Sequence, residues 1–351
     1  GDIELFARAA RAPVAAITGT NGKSTVTMLV ADILEAAGRT VRRGGNLGTP
    51  ALDLLAAVEP DCYALELSSF QLELTASLAP AVAALLNITP DHLDRHRSMD
   101  AYVAAKARIL THAAHAVLNA DDALVAALPV SGPRTWFTLQ APGVDRFGLR
   151  RRRDAYWLAG PDGDLLARAE LAMSGLHNVA NALAAAAVAN ALGVDYPVIA
   201  RVLREFRGLP HRVESAGEVD GVRYVNDSKA TNPGAAIASI EGLLGARDGV
   251  LIAGGEGKGA SFDAFASVVA RHVHTVVLIG RAAHDIEQAL AGRCACVVAT
   301  DMTAAVAAAR RAARPGDTVL LAPACASLDM FANYAERGRA FVGAVAALEQ
   351  T

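Results

Sequence analysis

A glycine-rich segment, residues 19–25, carries the side chains best suited to chemistry in this chain. It reads Gly19-Thr20-Asn21-Gly22-Lys23-Ser24-Thr25 and lies between an apolar run at 14–17 and a helical pattern at 24–37. The order strand, glycine loop, helix predicts a phosphate site, because glycines let backbone N–H groups approach an anion at the positive end of a helix. Lys23 would neutralise phosphate charge, and the Ser24 or Thr25 hydroxyl would ligate Mg²⁺. Only the core of the P-loop pattern is present, since Ile17 stands where that pattern has its first glycine.

Further polar side chains follow two other apolar runs. The run 62–67 delivers Glu66, and the run 81–87 is followed by Asp91, His92 and Asp94. Ligands bind at the carboxyl ends of strands in open α/β sheets, so Glu66 and His92 are candidate metal ligands. The alternative for residues 91–94 is an ordinary polar loop. His92 with His96 would indicate zinc only if both residues lay on one helix.

Lysine is scarce in this chain. Only four of the 33 lysine and arginine residues are lysines: Lys23, Lys106, Lys229 and Lys258. Ordinary surface cations here are arginines, so a retained amine indicates a task that a guanidinium cannot perform. Lys106 lies on a predicted helix over 101–110, and Lys258 lies in a glycine loop.

Composition bounds the possible functions. The net charge of -3 argues against nonspecific nucleic-acid binding, which needs clustered cations. The four cysteines show no Cys-x-x-Cys spacing, which favours reduced thiols in the cytoplasm. No apolar run approaches the roughly 18 residues of a membrane span. We therefore expect a cytoplasmic protein with neither a nucleic-acid nor a membrane partner.

The length of 351 residues, 53% of them hydrophobic, predicts two α/β domains. The first, 1–208, reads as a P-loop-type domain with a central parallel sheet and a small antiparallel accessory sheet between 134 and 171. Gly208-Leu209-Pro210 then interrupts the helical pattern. The second domain, 209–351, alternates strands and helices and reads as a doubly wound, Rossmann-like α/β domain.

Seven motifs together resemble those of the Mur ligases, which add amino acids to the peptidoglycan precursor. They are Gly19-Thr-Asn-Gly-Lys-Ser-Thr25, Leu65-Glu-Leu-Ser-Ser-Phe-Gln71, Asp91-His-Leu-Asp94, Gly175-Leu-His-Asn178 with Asn181, Leu209-Pro-His-Arg212, Asn226-Asp-Ser-Lys-Ala-Thr-Asn232 and Pro323-Ala-Cys-Ala-Ser-Leu-Asp329. The Asn226–Asn232 and Ala324–Asp329 strings are similar to the family member that adds D-glutamate.

The resemblance implies an ATP-dependent amide ligase. Its acceptor would be UDP-N-acetylmuramoyl-L-alanine, activated as an acyl phosphate and attacked by the amine of D-glutamate. Two other functions stay open. Folylpolyglutamate synthase shares the fold and chemistry but usually carries glycine where this chain has Ser24, and a non-catalytic nucleotide-binding module is the second alternative.

The resemblance also implies roles for individual residues. Ser24 and Glu66 would hold one Mg²⁺ and His92 a second, with Asn46 near the reacting phosphate. Lys106 matches the family lysine that CO₂ carbamylates, which makes it a carboxylate-like metal ligand. ATP would contact the 19–25 loop, Arg212 and Asp227. D-Glutamate would contact Lys229, Thr231, Lys258, Ser327 and Leu328. For Asn178 and Asn181, adenine contact and a helix-surface position are equally open.

The family has a further N-terminal domain that binds the uridine nucleotide, and this chain starts just before the phosphate loop. We therefore expect the chain alone to ligate weakly, at least ~10²-fold below an enzyme with that domain, because remote binding energy positions the reacting carboxylate. We expect the protein to be a monomer.

Overall fold

The computed structural model describes residues 1–348 apart from the side chain of Asp94, so residues 349–351 of the predicted second domain and that side chain of the Asp91–Asp94 motif lie outside the described part. The chain groups into two compact units. Unit 1 comprises Gly1–Thr89 and Arg95–Arg207, and unit 2 comprises Pro90–Asp94 and Gly208–Thr351.

The elements from the start of the chain to residue 207 belong to unit 1, except that Leu93 and Asp94 of the short helix α4 group with unit 2. They are α1 Asp2–Ala9, β1 Val14–Thr18, α2 Lys23–Ala36, β2 Val41–Gly45, β3 Cys62–Glu66, α3 Ser69–Glu73, β4 Val82–Leu85, α4 Leu93–His96, α5 Met99–Ala107, β5 Ala116–Asn119, α6 Ala123–Ala126, β6 Arg134–Phe137, β7 Arg146–Arg152, β8 Ala155–Gly160, β9 Gly163–Ala167, α7 Leu176–Ala191 and α8 Tyr196–Glu205.

A nine-stranded sheet forms the centre of unit 1, in the order β2-β3-β1-β4-β5-β6-β7-β8-β9. Pairing is parallel from β2 to β7 and antiparallel from β7 to β9. The structure confirms the predicted parallel sheet with an antiparallel accessory part, which continues the edge of the parallel sheet through β6 and β7.

Helices cover both faces of the parallel strands. β1, β3 and β4 are buried along their whole lengths, as expected for strands that lie between two layers of helices. One face packs against α2, α7 and α8, and the other packs against α1 and a short 3₁₀ turn, Ala51–Leu54. The run of small side chains from Ala184 to Ala187 is buried and lets α7 lie close to the sheet and α2.

Unit 2 contains the remaining elements. They are β10 Glu214–Val219, β11 Val222–Asn226, α9 Pro233–Leu243, β12 Gly249–Gly254, α10 Asp263–His272, β13 Val273–Ile279, α11 Ala283–Leu290, β14 Ala295–Val298, α12 Met302–Ala312, β15 Thr318–Leu321 and α13 Tyr334–Leu348.

The sheet of unit 2 has the order β10-β11-β15-β12-β13-β14, and only the β10–β11 hairpin is antiparallel. One apolar cluster joins α9, α10 and α11 to one face of this sheet. A second cluster joins α12 and α13 to the other face. This arrangement confirms the predicted doubly wound α/β fold. None of the described helices has the length and apolar character needed to cross a membrane.

A buried arginine ties together two strand ends of unit 2. Arg337 on α13 is 1% exposed. Its guanidinium donates to Ser228 Oγ at 3.0 Å, Ser228 O at 2.8 Å, Cys325 O at 3.1 Å and Ala326 O at 3.3 Å. Burial lowers the pKa of Arg337 to about 10, so the cation remains charged at neutral pH. Since Ser228 follows β11 and residues 325–326 follow β15, one side chain fixes both loops.

We expect Arg337→Met to lower the free energy of unfolding by at least ~3 kcal/mol, because it leaves several buried acceptors without a donor. Arg337→Lys should not restore stability, since an ammonium does not reproduce the planar fork. Urea denaturation followed by circular dichroism measures both changes. The control is Arg310→Met, which removes an exposed ion pair with Asp220 and should change the free energy of unfolding far less. Equal effects at positions 337 and 310 would contradict the role given to Arg337.

Candidate active site

The predicted phosphate loop, residues 19–22, connects β1 to α2. Gly22 occupies the N-cap of α2 with φ +82°, in the left-handed region that favours glycine. Asn87, just beyond β4, braces the loop: its backbone carbonyl accepts from Thr20 N at 2.9 Å, its Oδ1 accepts from Asn21 N at 2.8 Å, and its Nδ2 donates to Asn21 O at 3.1 Å. The loop is therefore held in place by the neighbouring strand, with the start of α2 immediately behind it.

Two lysine ammonium groups converge on this loop. Lys23 Nζ donates to Gly19 O at 3.0 Å and to Thr20 O at 2.9 Å. Lys106 Nζ, which is buried on α5, donates to the same Gly19 O at 2.7 Å. Two lysine amines thus lie beside the glycine loop, where the predicted phosphate site requires positive charge.

Ser98 caps the helix that carries Lys106. Its hydroxyl caps α5 by accepting from Ala101 N at 3.2 Å, so the helix begins at Met99 rather than near 101 as the sequence pattern predicts. α5 ends at Ala107 and a 3₁₀ turn, Arg108–Leu110, follows it. Lys106 lies in the last turn of α5 and points into the protein.

Glu66 is buried at the carboxyl end of β3, next to the end of β1. Asn46 holds it twice: Asn46 Nδ2 donates to Glu66 Oε1 at 2.8 Å, and Asn46 N donates to Glu66 O at 2.8 Å. Gly45 is needed for this approach, because a Cβ there would lie 2.4 Å from Glu66 O. Asn46 and Glu66, two of the predicted site residues, are therefore in direct contact.

The residues of this site fit Mg²⁺. Ser24 lies buried in the first turn of α2, and Glu66 contributes a buried carboxylate, so both offer the oxygen ligands that Mg²⁺ prefers. Among the described side chains, no group of three or more His, Cys, Asp and Glu residues could hold a metal ion. Mg²⁺ bound by Ser24 and Glu66 would complete its coordination with phosphate oxygens and water.

Asn178 and Asn181 lie on α7, on the side that faces the phosphate loop. Asn178 is buried, and its Nδ2 donates to Ser174 O at 2.8 Å. Asn181 Nδ2 donates to Asn178 Oδ1 at 3.2 Å, and Asn181 Oδ1 lies only 2.3 Å from where a Cβ on Gly22 would be. These amides are therefore not a solvated helix surface, whereas contact with adenine stays a prediction.

His92 belongs to segment 90–94, which groups with unit 2. It has φ +54°, and its backbone N donates to Asp91 Oδ1 at 2.9 Å. Asp91 Oδ2 in turn accepts from Asn232 Nδ2 at 3.0 Å. α4 begins after His92, and the His96 ring contacts Ser69 and Glu73, so the helical zinc pair is not formed. The placement of His92 at the second Mg²⁺ stays a prediction.

The predicted D-glutamate residues lie in three loops at one edge of the sheet of unit 2. Lys229 and Thr231 follow β11, Lys258 follows β12, and Ser327 and Leu328 follow β15. These three strands are neighbours and parallel, so their carboxyl ends meet.

One pair of hydrogen bonds and one cation–π contact hold these loops. Glu256 N donates to Ala326 O at 2.9 Å, and Ala326 N donates to Glu256 O at 3.0 Å, so the loop that carries Lys258 is tied to the loop that carries Ser327. The Lys229 ammonium lies 4.7 Å from the centre of the Tyr334 ring. Burial raises the pKa of the Cys325 thiol to about 12, so this thiol stays protonated beside the loop.

The predicted ATP residues of unit 2 have the following positions. Asp227 is buried at the end of β11, where its N donates to Leu321 O at 2.9 Å and its Oδ2 accepts from the Ser239 hydroxyl. Arg212 is half-buried before β10, and its N donates to Leu209 O at 3.2 Å.

Sequence reasoning missed three residues that shape these loops: Asn87, Tyr102 and Arg337. Asn87 was detectable, because it ends the apolar run 81–87 at the carboxyl edge of a strand. Tyr102 and Arg337 lie within helices and carry no local signal. Their roles depend on what the fold places next to them.

We expect Gly22→Ala to disturb the loop more than an ordinary glycine substitution. Both Gly22 (φ +82°) and Gly38 (φ +83°) are left-handed, but a Cβ at Gly38 meets nothing within 4 Å, whereas one at Gly22 meets Asn181. Gly38→Ala should therefore cost only the left-handed strain of about 1–2 kcal/mol, with unchanged ATP affinity. Gly22→Ala should also weaken ATP binding at least ~10-fold, measured by titration calorimetry. Equal ATP affinity of the two variants would contradict this account of the loop.

Two family models and a half-identical relative match this chain. The Mur ligase middle domain matches residues 17–189, and the Mur ligase glutamate ligase domain matches residues 211–325. A UDP-N-acetylmuramoylalanine–D-glutamate ligase from Pseudomonas syringae is 52% identical over 351 residues, which cover 99% of this chain and 78% of that protein.

Two solved structures show the same fold. The MurF ligase from Thermotoga maritima in complex with ADP has a TM-score of 0.74 at 19% identity, over 99% of this chain and 82% of that one. The folylpolyglutamate synthase from Mycobacterium tuberculosis, complexed with ADP, has a TM-score of 0.74 at 17% identity, over 98% of this chain and 95% of that one. The half-identical relative and the matched middle and C-terminal domains go further than fold, and they establish that this chain belongs to the Mur ligase family.

Proposed function

We propose that this protein is an ATP-dependent ligase that joins D-glutamate to UDP-N-acetylmuramoyl-L-alanine in peptidoglycan precursor synthesis. The observation that carries the proposal is the convergence of Lys23 and Lys106 on the Gly19 carbonyl, in a glycine loop at a helix N-terminus. That site fits the phosphates of ATP. The 52% identity to a protein named for this reaction supports the choice of substrates.

The chemistry requires an activated carboxylate, because a carboxylate is a poor acyl donor. In the proposed reaction an oxygen of the acceptor carboxylate attacks the γ-phosphorus of ATP, and ADP leaves as an acyl phosphate forms. The amine of D-glutamate then attacks the acyl carbon, phosphate leaves, and the nitrogen loses a proton as the amide forms. Charge on the transferring phosphoryl group needs fixed cations, and the Lys23 ammonium is the protein's own.

Mg²⁺ would supply further positive charge opposite the phosphates. Ser24 and Glu66 would hold one ion, with Asn46 orienting the Glu66 carboxylate through its 2.8 Å hydrogen bond. His92 and a carbamylated Lys106 would serve a second ion.

Carbamylation suits the surroundings of Lys106. Its amine is buried and shares the Gly19 carbonyl with the Lys23 ammonium, so a carbamate formed there would lie next to a cation. The neutral form of the amine attacks CO₂ and loses a proton, and the carbamate that forms carries a negative charge beside Lys23. A guanidinium does not undergo this reaction, which accounts for a lysine in an arginine-rich chain.

Each of the two domains would bind part of the substrates. Residues 1–208 would bind ATP through the 19–25 loop, with Asn178 and Asn181 at the adenine. Residues 209–351 would bind D-glutamate through Lys229, Thr231, Lys258, Ser327 and Leu328, while Arg212 and Asp227 would contact ATP. We place the reaction in the cytoplasm and expect the protein to work as a monomer.

The test is amide formation measured by mass spectrometry, at protein concentrations high enough to detect slow turnover. Mg·ATP, UDP-N-acetylmuramoyl-L-alanine and D-glutamate should give ADP, phosphate and the amide, and omission of any one should abolish the amide. L-Glutamate replaces D-glutamate in one control, and Lys23→Ala should remove activity in another. Glutamylation of a folate substrate instead would refute the proposal in favour of folylpolyglutamate synthase chemistry.

We expect Lys106→Ala to abolish ligation while the protein stays folded, and added formate or acetate to restore part of the activity by replacing the carbamate. Lys106→Arg should not recover, because a guanidinium stays cationic. The modification itself is measured by incorporation of ¹³C-labelled CO₂, observed by NMR. A fully active Lys106→Ala variant would refute the role of the carbamate.

A further inference from the structure

His96 lies at the end of α4, 5% exposed, and contacts two polar side chains of α3. Its Nε2 is 2.9 Å from Ser69 Oγ, and its Nδ1 is 3.2 Å from Glu73 Oε1. Nε2 and the Ser69 hydroxyl form a hydrogen bond, whereas Nδ1 lies at ion-pair distance from the Glu73 carboxylate without a hydrogen bond to it. The hydrogen bond to Ser69 fixes the plane of the ring.

The ring of His96 also lies between two aromatic rings. Phe70 of α3 stacks on it at 5.4 Å between centroids with an interplanar angle of 13°. Tyr102 of α5 lies on it at 5.1 Å and 49°. His96 therefore joins α3, which directly follows the Glu66 strand, to α5, which carries Lys106.

Tyr102 continues this contact to the phosphate loop. Its hydroxyl is 3.0 Å from Thr20 Oγ1, and Thr20 Oγ1 also accepts from Thr89 N at 3.1 Å. Its ring lies 4.8 Å from Lys106 Nζ, the group that donates to Gly19 O. A rotation of the Tyr102 ring would therefore disturb both a loop hydroxyl and a loop ammonium contact.

Serine, histidine and glutamate at these distances have the spacing of a nucleophile, a base and an orienting acid. Ser69 is 3% exposed, so a substrate cannot reach its Oγ. A hydrolytic role is therefore excluded, and the network acts within the protein.

We propose that His96 is a positioning residue for the phosphate loop. The hydrogen bond to Ser69 and the neighbouring Glu73 carboxylate hold the imidazole, the imidazole packs against the Tyr102 ring, and Tyr102 holds Thr20 and the Lys106 side chain at the loop that would bind the phosphates of ATP. The inference rests on the proposed function only in taking ATP as the ligand. Among the seven motifs of the sequence analysis, none includes His96 or Tyr102.

A double-mutant cycle on Mg·ATP affinity tests this role. His96→Phe keeps a stacked ring and removes both polar contacts, and Tyr102→Phe removes the hydroxyl that reaches Thr20. We expect each change to raise the Kd for Mg·ATP about 5- to 10-fold in titration calorimetry. Because the two residues act along one path, the double variant should bind no more weakly than the weaker single variant, since coupled residues are not additive.

Two matched controls come from unit 1. His112→Phe changes an exposed histidine, and Tyr196→Phe removes a hydroxyl that accepts from Asp162 N. Both should leave the Kd within twofold, and Tyr196→Phe should be additive with His96→Phe. Should His96→Phe fail to fold, Ser69→Ala replaces it, because it removes only the hydroxyl that meets Nε2, and a threefold or larger rise in Kd is expected.

Three results would overturn the proposal. The first is a Kd within twofold of that of the unmodified protein for both His96→Phe and Ser69→Ala. The second is a double variant of His96→Phe with Tyr102→Phe whose loss of affinity is the product of the two single losses, and the third is a His96→Phe variant with a lower Tm but an unchanged Kd. The last result would mean a purely structural role. ATP binding does not depend on the amino acid that is ligated. An unmodified protein that binds Mg·ATP but does not ligate D-glutamate would therefore refute the proposed function while leaving the role of His96 intact.

Discussion

The carbonyl oxygen of Gly19 accepts hydrogen bonds from two lysine amines, and much of unit 1 serves to hold them there. Lys23 reaches the oxygen from the first turn of α2, and Lys106 reaches it from the far end of α5. Two amines this close concentrate positive charge at the loop. Under the proposed function, a phosphate of ATP or a carbamate on Lys106 would lie beside this charge.

The loops that follow the parallel strands are held by buried polar side chains. A strand that ends in a tight loop leaves backbone groups without strand partners, and these need partners elsewhere when they are buried. Asn87 meets the backbone of the phosphate loop, Asn46 holds Glu66, and Arg337 donates to three carbonyls and one hydroxyl in unit 2. The same contacts satisfy the backbone and give each site a fixed shape before any ligand arrives. Preorganisation of this kind is what charge stabilisation in phosphoryl transfer requires.

The sequence indicates the importance of the lysines but not that of the contacts around His96. Scarce lysines can be counted in the sequence, and the structure places Lys23 and Lys106 on one carbonyl oxygen. The contact of His96 with Ser69 and Tyr102 cannot be read from spacing. The three residues lie on different helices, and 27 positions separate Ser69 from His96. Each has the pattern of an ordinary helix residue in its own segment.

The sequence by itself determined the fold class and the location of the phosphate loop. Continuous apolar runs, glycine loops and alternating helices are local patterns, and they specify parallel strands covered on both faces wherever they occur. Only the tertiary structure decided which polar groups meet: that Asn181 lies against Gly22, that the antiparallel strands continue the edge of the parallel sheet, and that Arg337 joins the ends of β11 and β15. The physical reason is the separation along the chain of the residues that interact. A helix or strand forms from hydrogen bonds and side-chain periodicity within a few residues, whereas these contacts form between distant segments whose approach is set by the packing of the whole core.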